Sequence, residues 1–252
     1  MAERLLLVHG AWATPEVWDP LIAALGDVET KPVDVTATGE PRTSSTQLVE
    51  RIVSAIDGCE APIVVIAHSG GAALVQQAVE SRPDAVSGIV YIAGIVLPPG
   101  TDFTEACAHR YGRAERVGIG RWLESTADAV VVPPEAGAAV FFHDLDAPSA
   151  IAASRAMVPQ DAAALGIAPS WTPGGLGRVR QLYVGATRDR TVPIELQREL
   201  CARCGIESVV ELPTGHVPHL SHPGQTARVI QDFLRSLTAE EEATEGTERL
   251  HA

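Results

Sequence analysis

Four short stretches carry side chains that could together do nucleophilic chemistry. In the first, Ala67-His68-Ser69-Gly70-Gly71, a buried-looking strand Ile63–Ala67 runs into a turn and then a helix. A sharp strand-to-helix turn needs small residues on both sides of its serine, because bulky neighbours would clash. Such a turn lifts the Ser69 hydroxyl above the sheet. It also aims the Gly70 N–H, at the start of the next helix, at a developing negative charge. Ala67 stands where Gly is usual in such turns, and Ala is also small.

The second stretch is Val8-His9-Gly10-Ala11-Trp12, directly after the first apolar run. Gly10 would permit close backbone approach and Ala11 would supply a second N–H to an oxyanion. Taken alone, an ordinary strand–helix turn explains it equally well. The third is Tyr183-Val184-Gly185-Ala186-Thr187-Arg188-Asp189, where a buried Asp189 could hold an imidazole in one tautomer. Its bland alternative is a salt bridge to Arg188 or Arg190. The fourth, Leu212-Pro213-Thr214-Gly215-His216-Val217-Pro218-His219-Leu220-Ser221-His222-Pro223, offers three histidines. His216 lies closest to the strand end and reads as the base. His219 reads as packed or at a rim, and His222 as capping the helix that starts at Pro223. The chain order Ser, Asp, His is the order of the triad on a doubly wound α/β sheet.

These stretches need a sheet to present them. Six runs read as strands: Arg4–Val8, Pro32–Thr36, Ile63–Ala67, Gly88–Ala93, Arg180–Val184 and Ser208–Leu212. They are continuously apolar, as in strands buried on both faces. Helical periodicity fills the gaps at Pro15–Leu25, Thr46–Ile56, Gly71–Ser81, Ile194–Cys204 and Pro223–Leu237. The alternation predicts an α/β fold with a mostly parallel, doubly wound sheet of about six strands. All four candidate stretches then fall at strand C-terminal ends, where such sheets bind ligands.

The alternation breaks once, after Leu97-Pro98-Pro99-Gly100. Helical patterns at Thr101–Tyr111, Glu115–Ser125, Glu135–Phe142 and Pro148–Met157, with a short Ala129–Val132 run, predict an inserted, largely helical cap. The expected organisation is a core of residues 1–97 and 177–237, a cap of 98–176 and a flexible acidic tail of 238–252. The cap holds six of the chain's eleven aromatics, Trp122, Phe141 and Phe142 among them. With Trp12 these are the candidate substrate contacts, suiting an apolar or aromatic group. A mini-core of the cap's own explains the same clustering.

Composition narrows the partners. The formal charge is −13, of which the tail contributes −4, leaving an acidic body that argues against nucleic acid or an anionic membrane. No run of about 18 apolar residues occurs, and the opening apolar run is too short for an export signal, so a cytoplasmic home is expected. The four cysteines (59, 107, 201, 204) do not resemble a disulfide framework. Cys201-Ala-Arg-Cys204 lacks a second pair to complete a zinc site. No metal or other cofactor is implied, and no pattern bears on the oligomeric state.

Together these residues resemble the α/β-hydrolase superfamily over nearly the whole chain. The closest resemblance is to small capped esterases around plant methylesterases, bacterial esterases and pyrethroid hydrolases, related in fold to hydroxynitrile lyases. Leu7-Val8-His9-Gly10-Ala11-Trp12 with Trp18 is similar to their opening, and Gly215-His216 with Leu220 and Pro223 to their closing pattern. Phe141-Phe142-His143-Asp144 and Val158-Pro159-Gln160 are similar to bacterial members. Hydroxynitrile lyases carry Thr at the position of Gly10 and Lys at that of Val217, so the resemblance implies hydrolysis rather than cyanide release. Ser at position 69, rather than Asp, sets aside haloalkane dehalogenase and epoxide hydrolase chemistry. The implied activity is hydrolysis of a small carboxylic ester through an acyl-enzyme. A lactone, thioester or amide substrate, or a ligand-binding protein on a hydrolase scaffold, are the alternatives.

Overall fold

The computed structural model describes residues 4–38, 42–60, 62–112, 117–126 and 129–251, with backbone alone beyond 239. Its centre is a sheet of six parallel strands: β1 (Arg4–Val8), β2 (Glu29–Val33), β3 (Ile63–His68), β4 (Val86–Ile92), β8 (Arg180–Ala186) and β9 (Val209–Leu212), in the order β2-β1-β3-β4-β8-β9. Alternate residues serve opposite faces. Leu6, Val8, Val65, Ala67, Ile89 and Tyr91 pack on one side, with Leu5, Leu7, Val64, Ile66, Val90 and Ile92 on the other. That two-sided burial is why the central strands read as unbroken apolar runs. Each such fully buried Leu or Ile contributes about 1.5–3 kcal/mol.

The first face is covered by α2 (Ser45–Asp57), α3 (Gly71–Glu80) and α7 (Ile194–Cys204). The second is covered by α1 (Asp19–Leu25) and α9 (Pro223–His251). Ser44 starts α2 with a capping box, accepting the Gln47 N–H while the Gln47 side chain accepts the Ser44 N–H; such caps contribute about 1 kcal/mol. The stretch Pro15–Leu25 splits into a single 3₁₀ turn, Pro15–Trp18, and α1, because Pro20 brings no N–H to a continuous ladder. Helix α9 runs on to His251, so the acidic stretch read as a tail continues it.

Strand β2 ends at Val33, three residues before the expected Thr36. Beyond Val33 the chain leaves the sheet, and the Val35 N–H donates to the His9 ring nitrogen Nε2 at 3.1 Å. Pro32 is tolerated because β2 is an edge strand.

Between β4 and β8 lie α4 (Phe103–Tyr111), α5 (Pro134–Val140) and α6 (Ala147–Arg155). A small antiparallel sheet lies there too, in the order β5 (Glu124–Ser125), β6 (Ala129–Val131), β7 (Gln160–Asp161). The helix expected over Glu115–Ser125 does not form within its described residues, which hold one 3₁₀ turn at Gly120–Trp122 and then β5. Gly118 explains the break. Its φ is +53°, and a Cβ there would lie 2.1 Å from the Thr191 carbonyl oxygen, so the chain turns where only glycine fits.

Candidate active site

Ser69 sits between β3 and α3 with φ +49°, a left-handed conformation that costs a non-glycine residue about 1–3 kcal/mol. Three backbone hydrogen bonds hold it there. Its N–H donates to the Ile92 carbonyl (3.2 Å), and its own carbonyl accepts the N–H groups of Ala72 (3.1 Å) and Ile95 (2.8 Å). The turn is crowded as expected: a Cβ on Gly10 would come within 2.9 Å of the Ser69 Cβ.

His216, after β9, brings Nε2 to 3.0 Å from the Ser69 hydroxyl and Nδ1 to 2.7 Å from an Asp189 carboxylate oxygen. Both His216 and Asp189 are buried. Asp189 is not paired with a neighbouring arginine; Arg190 donates instead to the Ala139 carbonyl. Four nitrogen donors converge on the Asp189 carboxylate: the N–H groups of Thr191 (2.6 Å) and Val192 (3.0 Å), His216 Nδ1, and Gln197 Nε2 (3.1 Å). The carboxylate is thus an acceptor throughout, which makes Nδ1 of His216 a donor and leaves Nε2 free to accept the Ser69 proton.

The turns carrying Ala11 and Gly70 face each other. A side chain on Gly70 would come within 3.9 Å of the Ala11 nitrogen. Among the described residues, no protein group accepts either N–H. Trp12, at φ +59°, is tied to the inserted segment three times: its N–H to Gln160 Oε1 (3.1 Å), its carbonyl from the Val158 N–H (3.0 Å) and its indole N–H to the Val130 carbonyl (2.9 Å).

A cavity of about 450 Å³ opens over Ser69. Trp12 and Phe141 line it, and the Phe141 ring lies 5.3 Å from that of His216. Two other expected substrate contacts lie elsewhere. Phe142 is buried against Phe141 in a cluster that joins the insertion to Trp12 and Val217, and it does not line the cavity. Trp122 is half exposed beneath the Arg121 guanidinium and does not line the cavity. Aromatic clustering in the sequence could not separate lining from mini-core.

The other histidines divide by environment. His9 accepts the Val35 N–H at Nε2, so Nδ1 carries the proton and donates to the Gly10 carbonyl (2.9 Å); burial lowers its pKa. His68 donates from Nε2 to the His216 carbonyl (3.0 Å), and burial holds its pKa well below the usual value. His219 is buried between the rings of His68 and Trp18, at 4.4 and 4.6 Å, and burial pushes its pKa down to about 3. His222 contacts the Ser221 hydroxyl, and its carbonyl accepts N–H groups at the start of α9. In the insertion, His109 pairs with Glu199 on the surface.

Three side chains hold the site in roles that the sequence does not assign. Gln197 orients Asp189 while its Oε1 accepts the Ala186 N–H (3.1 Å). Its signal was available: Gln197, Leu200, Cys201 and Cys204 form one helical face, and a glutamine on an apolar face needs partners. Asp144 accepts the Gly215 N–H and Gln160 accepts that of Trp12, long-range contacts with no local signature. The four cysteines are free; burial pushes the Cys107, Cys201 and Cys204 thiols up to about 12, so they are inert packing groups. Among the described residues no cluster of three or more His, Cys, Asp or Glu could hold a metal ion, and no helix is long and apolar enough to cross a membrane.

Residues 5–229 match the alpha/beta hydrolase family, and the chain belongs to it. Among characterised relatives, it is similar to a pyrethroid hydrolase of Sphingobium wenxiniae, 24% identical over 248 residues covering 91% of this chain and 86% of that one. It is also similar to polyneuridine aldehyde esterase of Rauvolfia serpentina, 23% identical over 269 residues covering 93% and 96%. Among solved structures, tomato methylketone synthase I superposes with a TM-score of 0.79 at 18% identity, covering 94% of this chain and 99% of that one.

Proposed function

We propose that this chain is a serine esterase acting on small carboxylic esters. The observation that carries the reading is the continuous hydrogen-bonded line from Ser69, which lines a largely apolar cavity, through His216 to Asp189. The relatives named as a hydrolase and an esterase support it.

In this mechanism His216 Nε2 takes the Ser69 proton as Oγ bonds to the acyl carbon. Asp189 keeps the imidazole in the required tautomer and stabilises its cation. The Ala11 and Gly70 N–H groups receive the oxyanion; such a donor typically contributes about 10²–10³ to turnover. The imidazolium then gives its proton to the leaving alcohol. A water, deprotonated by His216, adds to the acyl-enzyme and releases the acid. Residues 98–176 act as a cap that keeps this exchange out of bulk water, and no metal or cofactor enters. Among the described residues no Lys or Arg lines the cavity, whose largely apolar wall suits an apolar or aromatic group.

The test is a panel of p-nitrophenyl esters with steady-state rates for the wild type and Ser69→Ala. Multiple turnover that vanishes in the variant is expected. Wild-type inactivity across the panel, or retention of more than a few per cent by the variant, overturns the reading.

A further inference from the structure

Gln160 stands in β7, at the wall of the cavity, and is buried to 4% exposure. The orientation of its amide follows from its partner. The Trp12 backbone N–H can only donate, so the atom 3.1 Å from it must be Oε1, and the other terminal atom must be the Nε2 amine. Within the described residues Nε2 makes no hydrogen bond, yet it is not among the sealed, unpartnered polar atoms of the interior. It therefore meets the cavity that Gln160 lines. The surrounding wall is largely apolar, with Trp12, Leu123, Phe141, Leu165 and Ile167 among its members. A buried amine with two hydrogens and no acceptor is costly unless a ligand supplies one.

From this placement we propose that Gln160 Nε2 is a substrate-binding donor, and that the preferred ester carries a second acceptor oxygen, an ether or ketone, besides its ester group. The inference rests on the esterase reading and deepens it. Gln160 does two jobs with its two terminal atoms. Oε1 fixes the Trp12 peptide and with it the neighbouring Ala11 N–H, so it is a positioning group; Nε2 reads the substrate. An ester whose chain offers only methylenes leaves both Nε2 hydrogens unanswered in an apolar wall. The discrimination comes from that unpaired donor rather than from size.

Matched pairs, in which oxygen replaces a methylene or a carbonyl replaces CH₂, test it on both sides of the ester bond. On the acyl side these are p-nitrophenyl methoxyacetate against butyrate and p-nitrophenyl levulinate against valerate. On the alcohol side, methoxyethyl and butyl esters of one acid are followed by acid release. The readout is the ratio of kcat/KM within each pair, corrected by the spontaneous hydrolysis ratio. In Gln160→Met both amide groups are lost, so all rates fall together through Trp12, but the pair ratio isolates the donor. Gln160→Glu at alkaline pH keeps an acceptor for the Trp12 N–H and removes the donor, so it stands in if the Met variant does not fold. At least one pair is expected to favour the oxygenated member in the wild type by about three- to tenfold, the worth of one neutral hydrogen bond. That preference should disappear in both variants. Wild-type turnover with no preference in any pair, or a preference unchanged in the variants, overturns the inference and leaves the esterase reading standing. No wild-type turnover at all removes the esterase reading itself.

Discussion

Asp144, from the inserted segment, accepts the backbone N–H of Gly215 at 2.7 Å, one residue before His216. The same carboxylate oxygen accepts the Ser221 hydroxyl at 2.8 Å. One buried side chain thus staples both ends of the loop that carries His216. In Asp144→Ala the Gly215 N–H loses its partner, at about 1–3 kcal/mol, while the Ser221 hydroxyl falls back on the Val217 carbonyl at 3.2 Å. We expect a lower melting temperature and a kcat reduced about tenfold or more, with KM little changed, because the loop's placement rather than the cavity is disturbed. Asp144→Asn keeps an acceptor oxygen and should restore most of both. Equal damage in the Ala and Asn variants, in melting and steady-state assays, would mean that negative charge rather than hydrogen bonding matters there.

Ser69 should show the conflict between function and backbone strain. Ser69→Ala and Ser69→Gly both remove the hydroxyl, but only glycine is at ease at φ +49°. We expect both to be inactive and the Gly variant to be more stable than the Ala variant by about 1 kcal/mol in chemical denaturation. An Ala variant as stable as the Gly variant would show that the elbow carries no strain.

Three histidines near the site should make stability depend on pH. His9, His68 and His219 all have folded pKa values below the ordinary 6.5, chiefly through burial. Below about 6.5 the unfolded chain takes up protons that the folded chain refuses, so stability is full above that pH and falls on acidification. For His219 the loss should continue to about pH 3, with a slope of up to about 1.4 kcal/mol per pH unit. Among the described residues neither His219 ring nitrogen has a partner, so phenylalanine should replace it at little cost. His219→Phe is expected to stay within about tenfold of wild-type turnover and to flatten the acid slope, whereas His216→Ala should be as inactive as Ser69→Ala. An inactive His219→Phe beside an active His216→Ala would reassign the base.

The contrast between His216 and His219 shows how far the sequence was legible. The strands and the elbow were readable because two-sided burial and a sharp turn each constrain several adjacent residues at once. The nearness of His216 to Ser69 was readable from its distance to a strand end. What the sequence hid was contact across long separations. Asp144 lies 71 residues from Gly215, and Gln160 lies 148 from Trp12. Neither pairing leaves a periodic trace. The second strand was placed late because Val35 and Ala37 are as buried as strand residues while lying outside the ladder, so apolarity alone overran the true end at Val33. Trp122 was misjudged for the opposite reason: a large apolar side chain half in solvent breaks the assumption that aromatics in an insertion face inward.

The carboxylate assignment gives the last prediction. Asp189 and Asp102 both flank the site, but their environments differ. Asp102 caps α4, its oxygen accepting the Glu105 N–H at 2.8 Å, whereas Asp189 lies 2.7 Å from His216. Asn caps helices as well as Asp does, so Asp102→Asn should be nearly silent. In Asp189→Asn the Thr191 and Val192 N–H groups keep the amide oxygen on their side, so the amide NH2 faces His216 Nδ1, which must then accept, and the Nε2 acceptor towards Ser69 is lost. Turnover should fall by up to about 10⁴, with the fold kept. Gln197→Leu provides an intermediate case. It removes one of the four donors on Asp189 and strands the buried Ala186 N–H, so about 1–3 kcal/mol of stability and about tenfold in kcat should go together. Measuring the three variants against one activated ester at neutral and alkaline pH ranks them. A crippled Asp102→Asn beside an active Asp189→Asn would return Asp189 to a structural role and move the acid into the insertion.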